Sequence, residues 1–341
     1  MNTVAALPIR ERDELFQETA SRKGLSVEII EKDFWVCWTL RQLFELTGIG
    51  QQFIFKGGTS LSKVFGVIDR FSEDIDISVS RHYLGLDPET AKTSNARKRQ
   101  IDALAAVCRH KIMDEVQHSL QKAFRSILGG ADDYLAPSGD QSQTTLLFTY
   151  PRGRSSQNRY GGYVSPVVRI EFGARSDHWP YERFAITSYA AEEFPPFFTE
   201  PAYEVKVLAA ERTFWEKATI LHAEYHRPEG NINAERISRH YYDMHRLSKT
   251  AIADLAIDKL DLLDRVVEHK KIFFRSAWAN YDDARSGHIH LVPPESKLAL
   301  LRGDYAKMRD MFFGDVPAFD EIIQSLGILE NRINAAVHGQ K

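Results

Sequence analysis

Two periods of apolar residues meet in one short stretch, Phe53 to Val79, FIFKGGTSLSKVFGVIDRFSEDIDISV. Phe53 to Phe55 is a β-prone run that stops at Lys56-Gly57-Gly58, residues suited to a tight turn with open backbone amides. Leu61, Val64, Phe65 and Ile68 then fall at i, i+3, i+4 and i+7, so a helix capped by Thr59 or Ser60 is expected. After a turn at Asp69-Arg70 the period drops to two. Asp74 and Asp76 share one face of a predicted strand, with Ile75, Ile77 and Val79 on the other.

The same patterning divides the rest of the chain. Glu11 to Leu46 is helical with a break at Gly24 and a restart at Ser26, an N-cap with Glu28 in the first turn. Ile30, Phe34, Cys37 and Leu40 form its apolar stripe, and Glu31-Lys32-Asp33 is read as a mixed face. Leu86 to Ser126 is helix-prone and basic. Thr144 to Tyr150 and Val164 to Gly173 are predicted strands joined by a long loop, and Glu171 on the returning strand can reach the carboxylate face. Three prolines between Glu192 and Tyr203 predict an inter-domain linker. Helical patterning follows, with Leu208, Glu211, Trp215, Ala218 and Leu221 on one face and breaks near Gly287 and at Pro293-Pro294. The expected fold class is α/β, with a mixed α/β part at residues 1–195 and a helical part at residues 196–341.

Composition narrows the function classes. With 341 residues, 43% hydrophobic and 27% charged, the chain suits one large or two ordinary globular domains and not a disordered one. The net charge of −3 carries no global nucleic-acid signal, so any RNA contact must rest on local basic patches. Only Cys37 and Cys108 are present, and neither a secretory signal nor a run long enough to span a bilayer is seen, so a cytoplasmic location without membrane contact is expected.

The chemistry follows from the order of parts. Two carboxylates side by side on a strand repel each other unless a cation lies between them, and oxygen-preferring Mg²⁺, or Mn²⁺, is the ordinary solution. A glycine turn whose amides, together with Lys56, Gly57, Gly58, Thr59 and Ser60, hold a triphosphate opposite a metal-holding D-x-D describes nucleotidyl transfer from an NTP. Either part alone is bland, since Gly-Gly is any turn and D-x-D any solvated edge. The loop after Tyr150 carries Arg152, Arg154, Arg159, Tyr160 and Tyr163, a composition that meets phosphates and stacks bases, though a plain long loop has the same look. Lys217 on a helix is ordinarily solvated, and His222 and His226, spaced i, i+4 without the H-E-x-x-H pattern, are read as surface histidines.

KGGTSLSKVFG followed by RFSEDIDI resembles the first motif of the AbiEii/AbiGii nucleotidyltransferase toxins, polymerase-β-like enzymes related to the MenT toxins. VLAAERTFWEKATILH resembles the family's second motif, which implies that Lys217 contacts nucleotide phosphate. Arg239-His240-Tyr241-Tyr242-Asp243 resembles the third, with Asp243 retained and His240 standing where an acid is usual. The resemblance implies a polymerase-β-like core of small mixed sheet and helices, with a helical C-terminal domain bringing Lys217 and Asp243 over the cleft. It makes Glu171 the candidate third carboxylate. It also implies transfer of nucleotides to RNA, with tRNA 3′ ends as acceptors, and a cognate antitoxin as partner. The rival readings are an enzyme that nucleotidylates protein and a non-catalytic NTP-binding regulator.

Overall fold

The computed structural model describes residues 1–72, 74–130, 133–139, 144–157, 166–229 and 236–339. Two compact units share them: Met1–Val64 with Phe71–Leu208, and Phe65–Arg70 with Ala209–Lys341.

The first unit is mixed α/β. Its seven-stranded sheet runs β3-β4-β5-β2-β1-β7-β6, with β1 Phe53–Lys56, β2 Asp74–Val79, β3 Leu135–Pro137, β4 Thr145–Thr149, β5 Val167–Gly173, β6 Tyr181–Thr187 and β7 Ala202–Leu208. β2 lies antiparallel to β1, with Lys56 opposite Asp76, and parallel to β5, with Asp76 opposite Glu171. The alternation read in the sequence decides which face is covered: Ile75, Ile77, Val79, Val168 and Ile170 are buried. The helix Val27–Phe44 packs on that sheet, its Trp35 and Trp38 rings 5.7 and 5.6 Å from Phe148 of β4. That helix begins as its sequence requires. The preceding one ends at Gly24 in the left-handed region, φ 65°, and the Ser26 hydroxyl accepts from the Ile29 amide.

Three expectations need correction. The helix after β1 spans only Gly57–Lys63 and is not capped by Thr59 or Ser60. Both hydroxyls are buried and donate to carbonyls instead, Ser60 to Gly57 and Thr59 to Asp74. Val64, Phe65 and Ile68 are not part of its stripe, because the chain leaves the helix, turns at Gly66 with φ 60° and enters the second unit, where Val67 and Ile68 are buried. The proline-bearing segment is not a simple linker either. It forms the short helix Tyr189–Glu193 and a 3₁₀ turn, then leads into β7, which pairs with both β1 and β6, so the units divide after Leu208 and not at 195.

The second unit is helical. Its helices include Ala210–His226, Ser238–Ser248, Leu260–Phe273, Glu295–Lys307 and Phe319–Gly339. Trp215 is fully buried and its indole N–H donates to the Ala256 carbonyl at 3.2 Å, tying the first of these to the segment Ala251–Ile257. Among the described residues no helix is long and apolar enough to cross a membrane.

Candidate active site

The first unit brings the glycine turn and the carboxylates into contact. Gly57 has φ 82°, and a Cβ there would lie 2.0 Å from Asp76 Oδ2, so only glycine lets the turn sit against this carboxylate. The Thr59 hydroxyl, bonded to the Asp74 carbonyl and 3.0 Å from Ser72 Oγ, fixes the turn to the start of β2. At the other end of the short helix, Lys63 Nζ lies 2.7 Å from Asp33 Oδ1, both side chains buried. Asp33 also accepts from the Tyr189 amide at 2.7 Å. The Glu31-Lys32-Asp33 stretch is therefore a row of buried charges and not a mixed surface face.

Asp74 and Asp76 are half-buried on the side of β2 opposite Ile75 and Ile77. Register places Lys56 and Glu171 beside Asp76, and Arg169 beside Asp74. Glu171 is thus next to the pair, but its carboxylate accepts from Arg169 Nε at 2.6 Å. Among the described residues no group of three or more His, Cys, Asp or Glu stands gathered as a metal cage. Two hard carboxylates half-buried on one strand face do fit a divalent ion that completes its shell with water and substrate phosphates, as Mg²⁺ does.

The second unit builds a different cluster. Lys217, on the helix Ala210–His226, is buried and donates to Asp243 Oδ2 at 2.8 Å. Arg70 grips the same carboxylate in a fork, Nε to Oδ1 and Nη2 to Oδ2, each 2.8 Å. Burial alone raises the Asp243 pKa, but the two cations hold it well below the usual carboxylate range. Burial pushes Lys217 down, and Asp243 offsets only part of this because the positive charges of Arg70 and Arg239 also disfavour the ammonium. His240, 3.5 Å from Lys217, is held neutral by burial and by that ammonium. Both Asp243 oxygens are thus engaged, Oδ1 by Arg70 and Oδ2 by Arg70 and Lys217. Arg70 was given no role by sequence reasoning. Its partner lies 173 residues away, a separation that no local pattern encodes.

Other candidates fall elsewhere. His222 is buried, not on the surface, with Nε2 donating to the Asn280 carbonyl and Nδ1 accepting from the His290 amide, so neither nitrogen serves a metal. The loop after β4 starts as a pinned segment. The Pro151 carbonyl accepts from Arg12 at 2.7 Å, the Gly153 amide donates to Glu31 at 2.7 Å, and the Ser155 amide and hydroxyl donate to Asp13. Arg152 and exposed Arg154 ride on it, whereas Arg159, Tyr160 and Tyr163 lie outside the described residues.

A sequence model of the family described as "Nucleotidyl transferase AbiEii toxin, Type IV TA system" matches residues 38–325. Among solved structures, similarity is found to MenT4, a nucleotidyltransferase toxin from Mycobacterium tuberculosis H37Rv, with 16% identity, TM-score 0.45 and coverage of 96% of this chain and 99% of that one. JHP933 from Helicobacter pylori gives 15% identity and TM-score 0.44 over 93% of this chain and 96% of that one. A putative nucleotidyltransferase from H. pylori gives 13% and 0.44 over 93% and 99%. Comparison with curated protein sequences finds no match.

Proposed function

The chain belongs to the AbiEii nucleotidyl transferase toxin family of type IV toxin–antitoxin systems, and from that premise we propose a Mg²⁺-dependent enzyme that moves a nucleotide from an NTP to RNA, with tRNA 3′ ends as acceptors. The acceptor hydroxyl oxygen forms a bond to the α-phosphorus, the bond from that phosphorus to the bridging oxygen breaks, and pyrophosphate leaves. The hydroxyl proton is given up on the carboxylate face. The observation that carries the reading is the close approach of Gly57 to Asp76, which sets the glycine turn directly against one of the paired carboxylates.

In this reading Asp74 and Asp76 hold the divalent ion, which supplies Lewis-acid stabilisation of the phosphoryl charge. Glu171, steered by Arg169, is the third carboxylate of the face. The turn Lys56-Gly57-Gly58 and the adjoining helix receive the triphosphate. Thr59 and Ser60 shape that turn through their carbonyl bonds. Lys217, oriented by Asp243 and Arg70, contacts a phosphate, since two cations around one carboxylate leave one positive charge in excess. The protein partner is a cognate antitoxin.

The test is incubation of the protein with each radiolabelled NTP, Mg²⁺ and either tRNA or lysate protein. Label on RNA 3′ ends, absent in Asp76→Ala, is the expected result. Label on protein alone overturns the RNA acceptor in favour of protein nucleotidylation, and label in neither pool points to the non-catalytic regulator.

A further inference from the structure

The carboxylate face of β2 does not end at Asp76. Ser78 continues it by the two-residue period, and Ser78 Oγ lies 2.8 Å from His178 Nε2. His178 in turn lines a cavity of about 500 Å³ at the carboxyl ends of the parallel strands β2 and β5, with Arg81, His82, Ser176 and Asp177 in its walls. The carboxyl ends of parallel strands are where open α/β sheets take their ligands, and this volume lies within the usual range for a small-molecule site. Asp76 and Ser80 are separated by roughly 13 Å of extended chain, a span that a few nucleotides of single strand cover.

The lining says what chemistry fits. An arginine and a buried aspartate face one cavity, so the ligand offers both anionic oxygen and N–H or O–H donors, as a nucleotide does. Burial lowers the His178 pKa to about 4, so at neutral pH its uncharged ring, bonded to Ser78 and to the Val79 backbone, offers the cavity a flat surface. Trp179, next in sequence, and Tyr181, at the start of β6, are each about half exposed, and Lys206 Nζ lies 5.6 Å from the Tyr181 ring. Exposed aromatics interleaved with cations are the means by which proteins hold single-stranded nucleic acid.

We propose that this cavity is the subsite for one nucleotide of the acceptor RNA, with Arg81 on a phosphate and Asp177 and His178 on the base or ribose. The inference rests on the reading of RNA as acceptor. It sets the acceptor along β2, with the strand passing from the cavity to the paired carboxylates.

The test uses the full-length protein, a labelled single-stranded RNA of about ten nucleotides followed by fluorescence anisotropy, and NTP with Mg²⁺ followed by calorimetry. Ser176→Trp fills the cavity and Arg81→Ala removes the cation assigned to the phosphate. Filling should weaken RNA binding by about tenfold or more, the scale on which one base is held. Arg81→Ala should lower the slope of log affinity against log salt by about 0.7. NTP affinity should stay as in the wild type. RNA affinity and salt slope unchanged in both variants overturn the proposal, as does a parallel loss of NTP affinity, which would assign the cavity to the donor nucleotide. If the wild type binds no RNA, the acceptor reading itself falls, and this inference with it. Thermal melting checks folding of Ser176→Trp. Arg81, partly exposed and paired with Glu89 at 2.7 Å, gives the milder variant that carries the test alone if Ser176→Trp does not fold.

Discussion

The two charged clusters treat their carboxylates in opposite ways. Asp74 and Asp76 are half-buried on a strand face with Lys56, Arg169 and Glu171 beside them. Asp243 is fully buried, and Arg70 and Lys217 occupy both of its oxygens. The first arrangement leaves two like charges side by side and only partly covered. The second uses a carboxylate to hold two cations in fixed positions. In the reaction proposed above, catalytic chemistry belongs to the open cluster, and orientation to the closed one.

Breaking the open cluster should give the largest change. Asp76→Ala is expected to lower nucleotide transfer by on the order of 10³-fold, which corresponds to several kcal/mol of lost transition-state stabilisation. Thermal melting should show stability unchanged or slightly raised, because one of two repelling charges is gone. Retained transfer would remove Asp76 from the site.

The closed cluster should respond the other way round. Asp243→Ala leaves two buried cations without their carboxylate and should cost about 3–5 kcal/mol, read as a lower denaturation midpoint. Replacing Arg70, Lys217 and Asp243 together by Met, Met and Leu should recover much of that loss while NTP affinity stays low. Full NTP affinity in this triple variant would make the cluster purely structural. The pH dependence has a fixed sign. The folded pKa of Asp243 lies below its unfolded value of about 3.9, so its contribution is complete above that value and is lost as pH falls through the acid range toward the folded pKa. Acid unfolding of Asp243→Asn should therefore be shallower than that of the wild type.

Gly57 links turn to carboxylate and gives an intermediate effect. Gly57→Ala meets both a positive φ and Asp76 Oδ2, and should cost about 1–3 kcal/mol of stability. It should also displace Asp76 and reduce transfer more than a comparable change at Gly66, which has positive φ but nothing within 4 Å of an added Cβ. Equal losses of transfer at the two glycines would show that backbone strain alone matters.

What the sequence could disclose tracks the range of the interactions. The period-two run Asp74 to Val79 and the cap at Ser26 are local, and both stand in the structure as read. The helix expected to continue to Ile68 does not, because its apolar residues answer to the second unit and not to a helical stripe. β6 carries little alternation, since Tyr181, Glu182 and Arg183 of this edge strand are all exposed. β7 was hidden behind prolines that precede it. Lys217 looked solvated by residue type, and its burial depends on Arg70 and Asp243, which reach it only through the fold.

The smallest expected effect concerns the arginines of the loop after β4, which act on RNA only through screened charge. Asp13 and Glu31 anchor its first turn through the Ser155 and Gly153 backbone, so truncating arginine side chains leaves the anchor intact. Changing Arg152, Arg154 and Arg159 together to Ala should flatten the dependence of log RNA affinity on log salt by about 0.7 for each phosphate no longer neutralised. The fall in affinity should be largest at low salt and shrink as screening sets in, and NTP affinity should not move. The contrast with Asp76→Ala is the point of the measurement: one variant binds RNA and fails to transfer, the other transfers at saturating RNA and binds it weakly. An unchanged salt slope would take the loop out of RNA binding and turn attention to the basic helical segment from Arg97 to Arg125 in the same unit.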